Sequence, residues 1–293
     1  MPKVGFVVNP LGGNGRAFSA WQEVSLEIPE AQGYLTHHPG GGTEAARQAV
    51  EDGCDVVAAV GGDGTVSEVA NALIGSEVAL AIVPAGTGND YARSLNSPTS
   101  VLEAARLAFE GQTKVVDTAK APGNRSFVNV AGCGFDAEVM TTFNTPGPMM
   151  RRLPVKIRYY LSILKTFARY KGTNASIDID GQLREVGNLL LLACGPAMYY
   201  GAGMKVLPNA DLSDGWLDVV WGHDVSLGEL SKLMGLIYKG EHLAHPKVES
   251  ARGKVIKVVA IPATKFHLDG DVAGTTPVTF EIVPASLRVV TPA

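Results

Sequence analysis

Three glycine-rich turns early in the chain constrain the fold more than any other feature. Asn9-Pro10-Leu11-Gly12-Gly13-Asn14-Gly15, Gly61-Gly62-Asp63-Gly64-Thr65 and Pro84-Ala85-Gly86-Thr87-Gly88-Asn89-Asp90 each follow a short, unbroken apolar run. Apolar runs at residues 3–8, 33–36, 55–60 and 80–83 read as strands, and residues 15–26, 43–52, 66–74 and 101–110 as helices. Strands alternating with helices predict a mostly parallel sheet covered on both faces. Such a sheet binds ligands beyond the carboxyl ends of its strands, where all three turns fall.

Glycine lets the backbone take positive φ and lets a bulky anion approach the amides. The helix that follows adds free N–H groups and the positive end of its dipole. Asp63 suits a phosphate seat only beside a cation or a proton-donating group, which points to a magnesium nucleotide. Each turn taken alone is equally a tight strand-to-helix connection capped by Asp or Thr. No G-x-x-x-x-G-K-[ST] loop occurs and no G-x-G-x-x-G opens the first helix, so both common nucleotide loops are disfavoured.

Beyond residue 113 the pattern becomes alternating and hairpin-rich, as in NASIDIDGQLREV, where Asp180-Gly181 reads as the turn. The prediction is an α/β N-terminal domain with a mostly parallel sheet over residues 1–118 and a β-rich, largely antiparallel C-terminal domain over 119–284. Helices interrupt the second near 153–170 and 226–238, and residues 285–293 form a terminal segment free to pair with either part. A net charge of −4 gives no general attraction to nucleic acid. Cys54, Cys133 and Cys194 form no CxxC pair and read as buried reduced thiols, which fits the cytoplasm. No apolar run approaches the about 20 residues of a membrane span. The six histidines show no metal spacing.

NPLGGNGRA, VGGDGTVSEVANAL and PAGTGNDYAR, in this order and spacing, resemble the diacylglycerol kinase catalytic-domain family, which includes bacterial lipid kinases and sphingosine kinases. AMYYGAGMKVLPNADLSDGWLDVV and FHLDGD resemble its Gly-Gly-Met/Asp-Gly-x-Leu and Asp-Gly-Glu regions. The resemblance implies a first domain like those of NAD kinases and phosphofructokinases, ATP and Mg²⁺ as cofactors, and a lipid alcohol as substrate. ATP would lie against Asn9, Gly12, Gly13, Thr36, Gly61, Gly62, Asp63, Gly64, Thr65 and Thr87. The metal region would map to Asp211, Asp214 and Trp216, with Asp214 giving a carboxylate. The catalytic base would be Asp271 first and Asp63 second. Asp271 stands where the family has Glu and is shorter by about one C–C bond, 1.5 Å. Asp269 shares that turn, Ser67 replaces a family Asn, and Asp90 and Asp117 match acidic positions that tune the metal-water network. A NAD kinase-like activity on a soluble alcohol and a non-catalytic lipid- or nucleotide-binding regulator are the alternatives.

Residues 151–171 carry seven Lys or Arg and no acid, with Ile157, Leu161, Leu164 and Ala168 at helical spacing. Such a stretch reads either as a core-covering helix with a solvated basic face or as a peripheral contact with an anionic bilayer. TPGPMM, residues 145–150, reads as an apolar flap leading into it. A homodimer is left open.

Overall fold

The computed structural model describes residues 1–38 and 40–292, without the side chains of residues 155 and 156. Four parallel strands open the fold: β1 (Val4–Val8), β2 (Gln32–Leu35), β3 (Val56–Gly61) and β4 (Ala79–Pro84), in the order β4-β3-β1-β2. Helices α1 (Arg16–Glu27), α2 (Gly41–Glu51), α3 (Asp63–Leu73), α4 (Asp90–Ser94) and α5 (Val101–Glu110) join and cover them. Successive side chains of a strand leave on opposite faces. Val4, Phe6 and Val8 therefore pack with Val24 of α1 and Ala104 of α5. Val7 packs with Ala46 of α2 and Val66 and Val69 of α3. Burial on both faces is why these runs are apolar throughout rather than alternating.

The second part comprises β5 (Gln112–Ala121), β6 (Arg125–Phe127), β7 (Ala131–Gly134), α6 (Phe135–Asn144), α7 (Pro148–Arg151), α8 (Val155–Phe167), β8 (Thr173–Ile179) and β9 (Gln182–Gly195). It continues with β10 (Leu217–His223), α9 (Leu227–Lys239), β11 (Val248–Gly253), β12 (Val255–Ile261), β13 (Lys265–Leu268), β14 (Asp271–Thr275) and β15 (Val278–Thr291). The pairings among β5 to β15 are antiparallel. Their core centres on Phe127, Phe280, Leu192 and Trp221, with the ring of Phe280 met edge-on by Phe127 and Phe266. The architecture is the one expected: a parallel α/β unit followed by an antiparallel β-rich one.

β15 joins the two. Its early residues pair with β12, Arg288 and Val289 pair in parallel with Ala79 and Leu80 of β4, and β5 runs antiparallel alongside. The corner lies at a register shift between Val283 and Leu287, where Ala285 takes φ 48°.

Two features differ from the sequence expectation. β9 is one strand of 14 residues, continuing from the hairpin arm through the LLLLAC run. α6 has no counterpart in the sequence reading, because FDAEVMTTFN carries β-branched residues and little apolar periodicity. Residues 145–150 lead into α7. The three cysteines are free and buried. Among the described residues no helix is long and apolar enough to cross a membrane.

Candidate active site

The three glycine turns meet at one rim. β1, β3 and β4 are adjacent and in register, with Val8 opposite Val60 and Gly61 opposite Pro84, so their carboxyl ends align. The turns then touch through backbone. A Cβ on Gly86 would stand 2.3 Å from the Cα of Gly62, and one on Gly13 would stand 2.3 Å from the carbonyl oxygen of Ala85. Gly13 also takes φ +60°, which favours glycine. Arg16 clamps the first turn to the third: its Nε donates to the Gly13 carbonyl at 2.9 Å and its guanidinium donates to Thr87 Oγ1 at 2.8 Å. α1 and α3 begin without a side-chain cap, leaving first-turn amides for an anion.

Of the residues nominated for the nucleotide, Gly13, Asp63 and Thr87 line the cleft directly, joined there by Leu11, Asn14 and Gly88. The others form the ground behind. Asn9 accepts from Gly12 and Leu11 and so shapes the first turn. Thr36 is buried at the end of β2, its N–H donating to Val8. Thr65 is buried over Gly61, where a Cβ would be 2.6 Å from its hydroxyl oxygen. Gly62 and Gly64 complete the second turn; a Cβ on Gly64 would meet nothing within 4 Å.

The acidic residues mostly hold backbone. Asp63 Oδ1 accepts from the amides of Asp90 and Tyr91 at 2.7 and 3.2 Å, capping α4, while Oδ2 lies beside Gly88. Asp90 reaches into the second part, accepting from Ala202 and Gly203 at 2.8 and 2.7 Å. Burial, and then the charge of Asp63, push the Asp90 carboxyl up to about 6. Asp117 accepts from Gly215 and Ala285, each at 2.7 Å, and so pins the corner of β15.

The turn between β13 and β14 carries two carboxylates with opposite fates. Asp269 is partly buried and accepts from Val128, Asn129 and the Ser67 hydroxyl, the last bond tying α3 to the second part. Burial pushes its carboxyl above the usual range, with those donors opposing. Asp271 is exposed at the start of β14, next to Gly270, which lines the cleft. Beneath the turn His267 Nδ1 accepts from Gly270 N–H at 3.3 Å. Its Nε2 then carries the proton and donates to the buried Asp136 at 3.1 Å. Tyr200, a cleft residue, stacks on the His267 ring at 6.0 Å.

Asp211, Asp214 and Trp216 lie on the connection into β10 and are not part of the cleft lining. Asp211 Oδ1 accepts from the backbone and hydroxyl of Ser213. Asp214 Oδ1 accepts from Trp216 N–H, and Oδ2 pairs with Arg252, which also contacts Asp218. Among the described residues no three His, Cys, Asp or Glu side chains gather around one point. Both Asp214 oxygens are thus engaged within the chain.

The wall opposite the rim was not legible as a site. α6, α8 and α9 close a cleft of about 930 Å³ with Met140, Phe143, Tyr159, Ile163, Met234 and Tyr238. Arg158 enters from α8 with its guanidinium 4.4 Å from the Phe143 ring centre. Deeper, Phe135, Leu190 and Leu230 continue the apolar lining. Asn129, on the link between β6 and β7, also lines the cleft. Its only sequence signal is an amide within the otherwise apolar stretch FVNVAG.

Residues 3–121 match the diacylglycerol kinase catalytic domain model and residues 129–291 match that of the YegS C-terminal NAD kinase beta sandwich-like domain. A diacylglycerol kinase of Mycobacterium tuberculosis is 33% identical, over 99% of this chain and 95% of its own. The crystal structure of a Bacillus anthracis protein assigned to the diacylglycerol kinases superposes with a TM-score of 0.81 at 27% identity, covering 99% of this chain and 95% of that one. Yeast NADH kinase, at 11% identity and a TM-score of 0.52 over 100% of this chain and 84% of its own, shares the fold alone.

Proposed function

The chain belongs to the diacylglycerol kinase family of lipid kinases, and we propose that it transfers the terminal phosphate of magnesium-ATP to the hydroxyl of a diacylglycerol-like lipid. One observation carries this reading: a rim of bare amides and a wall of apolar side chains face each other across one cleft. A soluble nucleotide acceptor would leave the apolar wall without an occupant, which disfavours the NAD kinase-like alternative. Magnesium travels with the triphosphate and neutralises its charge.

The alcohol oxygen attacks the terminal phosphorus in line, a new O–P bond forms as the bond to the bridging oxygen breaks, and ADP departs. The hydroxyl proton passes to a carboxylate. We assign Asp271 that role, because Asp63 and Asp269 already serve as acceptors for backbone amides. Labelled ATP offered with diacylglycerol, a sphingoid base, an isoprenoid alcohol and NAD tests the substrate class; phosphate should move to the first. Asp271→Asn should lower kcat by about 100-fold or more with ATP binding intact. Full activity in that variant would falsify the base assignment.

Access to such a lipid requires contact with its bilayer. α8 exposes Ile157, Tyr160, Leu161 and Leu164, and α9 exposes Tyr238. Arg151, Arg152, Lys165, Arg169 and Lys171 are exposed around them. Lys156 lies outside the described side chains. An apolar face bordered by cations fits the surface of an anionic bilayer and opens onto the cleft.

A further inference from the structure

Asn129 is 6% exposed and nonetheless lines the cleft. Its backbone is held in place on both sides. The N–H donates to Asp269 Oδ1 at 2.9 Å, and the carbonyl oxygen is packed so closely on Gly195 that a Cβ there would lie 2.2 Å away. The side-chain Oδ1 is buried and has no hydrogen-bond partner among the described residues. Burying an amide oxygen without a donor costs stability, and an apolar side chain of the same shape would avoid that cost. A donor that reaches Oδ1 from the cleft would remove that cost.

The chemistry of the cleft limits what that donor is. The phosphate oxygens of a nucleotide only accept, and the donors of the lining, Arg158 and the tyrosines among them, make no bond to Oδ1. Asp63 and Asp269, which share the lining, are carboxylates and accept as well. An alcohol O–H is a small neutral donor, and one is required by the phosphotransfer reading above, on which this inference rests. We infer that Asn129 Oδ1 receives the hydroxyl of the lipid alcohol and thereby turns the lone pairs of its oxygen toward the phosphate rim. Asn129 orients the hydroxyl and takes no proton. Because its backbone is held by Asp269, which Ser67 ties to α3, the amide is fixed relative to the rim. A lipid lacking the hydroxyl leaves Oδ1 unpaired, so the residue also sets specificity for an alcohol.

The test measures binding of 1,2-dioctanoylglycerol and of its 3-deoxy analogue, the dioctanoate of 1,2-propanediol, by competition, with ATP affinity measured alongside. The wild-type protein should prefer the alcohol by about tenfold, the size of one buried neutral hydrogen bond. Asn129→Leu, similar in shape, should bring that ratio close to one and lower kcat for the alcohol, with ATP affinity unchanged. Asn129→Asp, which keeps an acceptor oxygen, should retain the preference. Asn129→Ala is read in the same way should Asn129→Leu fail to fold. An unchanged ratio in Asn129→Leu or Asn129→Ala, with turnover still measurable in the wild type, overturns the inference alone. A wild-type protein that binds ATP but phosphorylates no lipid alcohol overturns the lipid-kinase reading and this inference with it.

Discussion

The glycine rim and the apolar wall face each other across the same cleft, yet they are made of different material. The rim is backbone. Its turns touch at Gly13, Gly62 and Gly86, where a single added carbon meets main-chain atoms, and its carboxylates Asp63 and Asp90 accept from backbone amides. The wall is side chain, gathered from α6, α8 and α9 over elements far apart in sequence. A backbone surface is fixed by local residue identity and tolerates almost no substitution. A side-chain surface of this kind accepts exchange among apolar residues of similar volume.

The largest effect should come from the rim. In Gly86→Val the new side chain collides with Gly62, and displacement of the turn by about 1 Å should reduce turnover at least about 100-fold. Calorimetric titration with ATP should show affinity lost together with turnover. A variant that binds ATP normally would mean that the turn is only a tight connection.

A smaller effect is expected at the outer face of the wall. Arg151, Arg152 and Lys165, all changed to Gln, should weaken sedimentation with anionic vesicles by about 10- to 100-fold, at about 1 kcal/mol or less per cation near the surface. Turnover of a short-chain substrate in detergent should stay within about twofold, since none of the three lines the cleft. Unchanged vesicle binding would remove the bilayer from the account of α8.

The smallest effect concerns the seam between the two regions. Asp90 is raised to about 6 in the folded protein, whereas an unfolded chain has its Asp near 3.9. Between about pH 4 and pH 6 the folded form holds a proton that the unfolded form has released, so stability falls as pH rises through that window. The contribution is on the order of 2 kcal/mol, and urea unfolding at several pH values should show the slope flattened in Asp90→Asn.

The rim was legible because its constraints are local. Gly-Gly-Asp-Gly after an apolar run specifies a strand, a turn and a helix start within a few residues, and adjacency of parallel strands brings such turns together without further information. Asp63 and Thr87 could therefore be nominated from sequence, and both line the cleft. What Asp63 holds could not, because its partners at Asp90 and Tyr91 lie beyond another strand. The wall was scarcely legible for the same reason. Met140 and Phe143 sit on a helix with weak periodicity, and Asn129 and Asp269 meet across 140 residues of chain. The buried Asp136–His267 pair beneath the Asp269 turn is equally remote in sequence, with a separation of 131.

β15 carries a consequence for how the protein can be made and divided. It is synthesised after every other strand described, yet it lies against β4, among the first. The sheet that positions the rim is therefore incomplete on the ribosome until β15 emerges, and contacts of such long sequence separation form slowly. Expressing residues 1–118 alone would leave the β4 edge bare, an open template for pairing with other chains. The N-terminal part should aggregate when separated and fold only in company with the strand that its counterpart lends it.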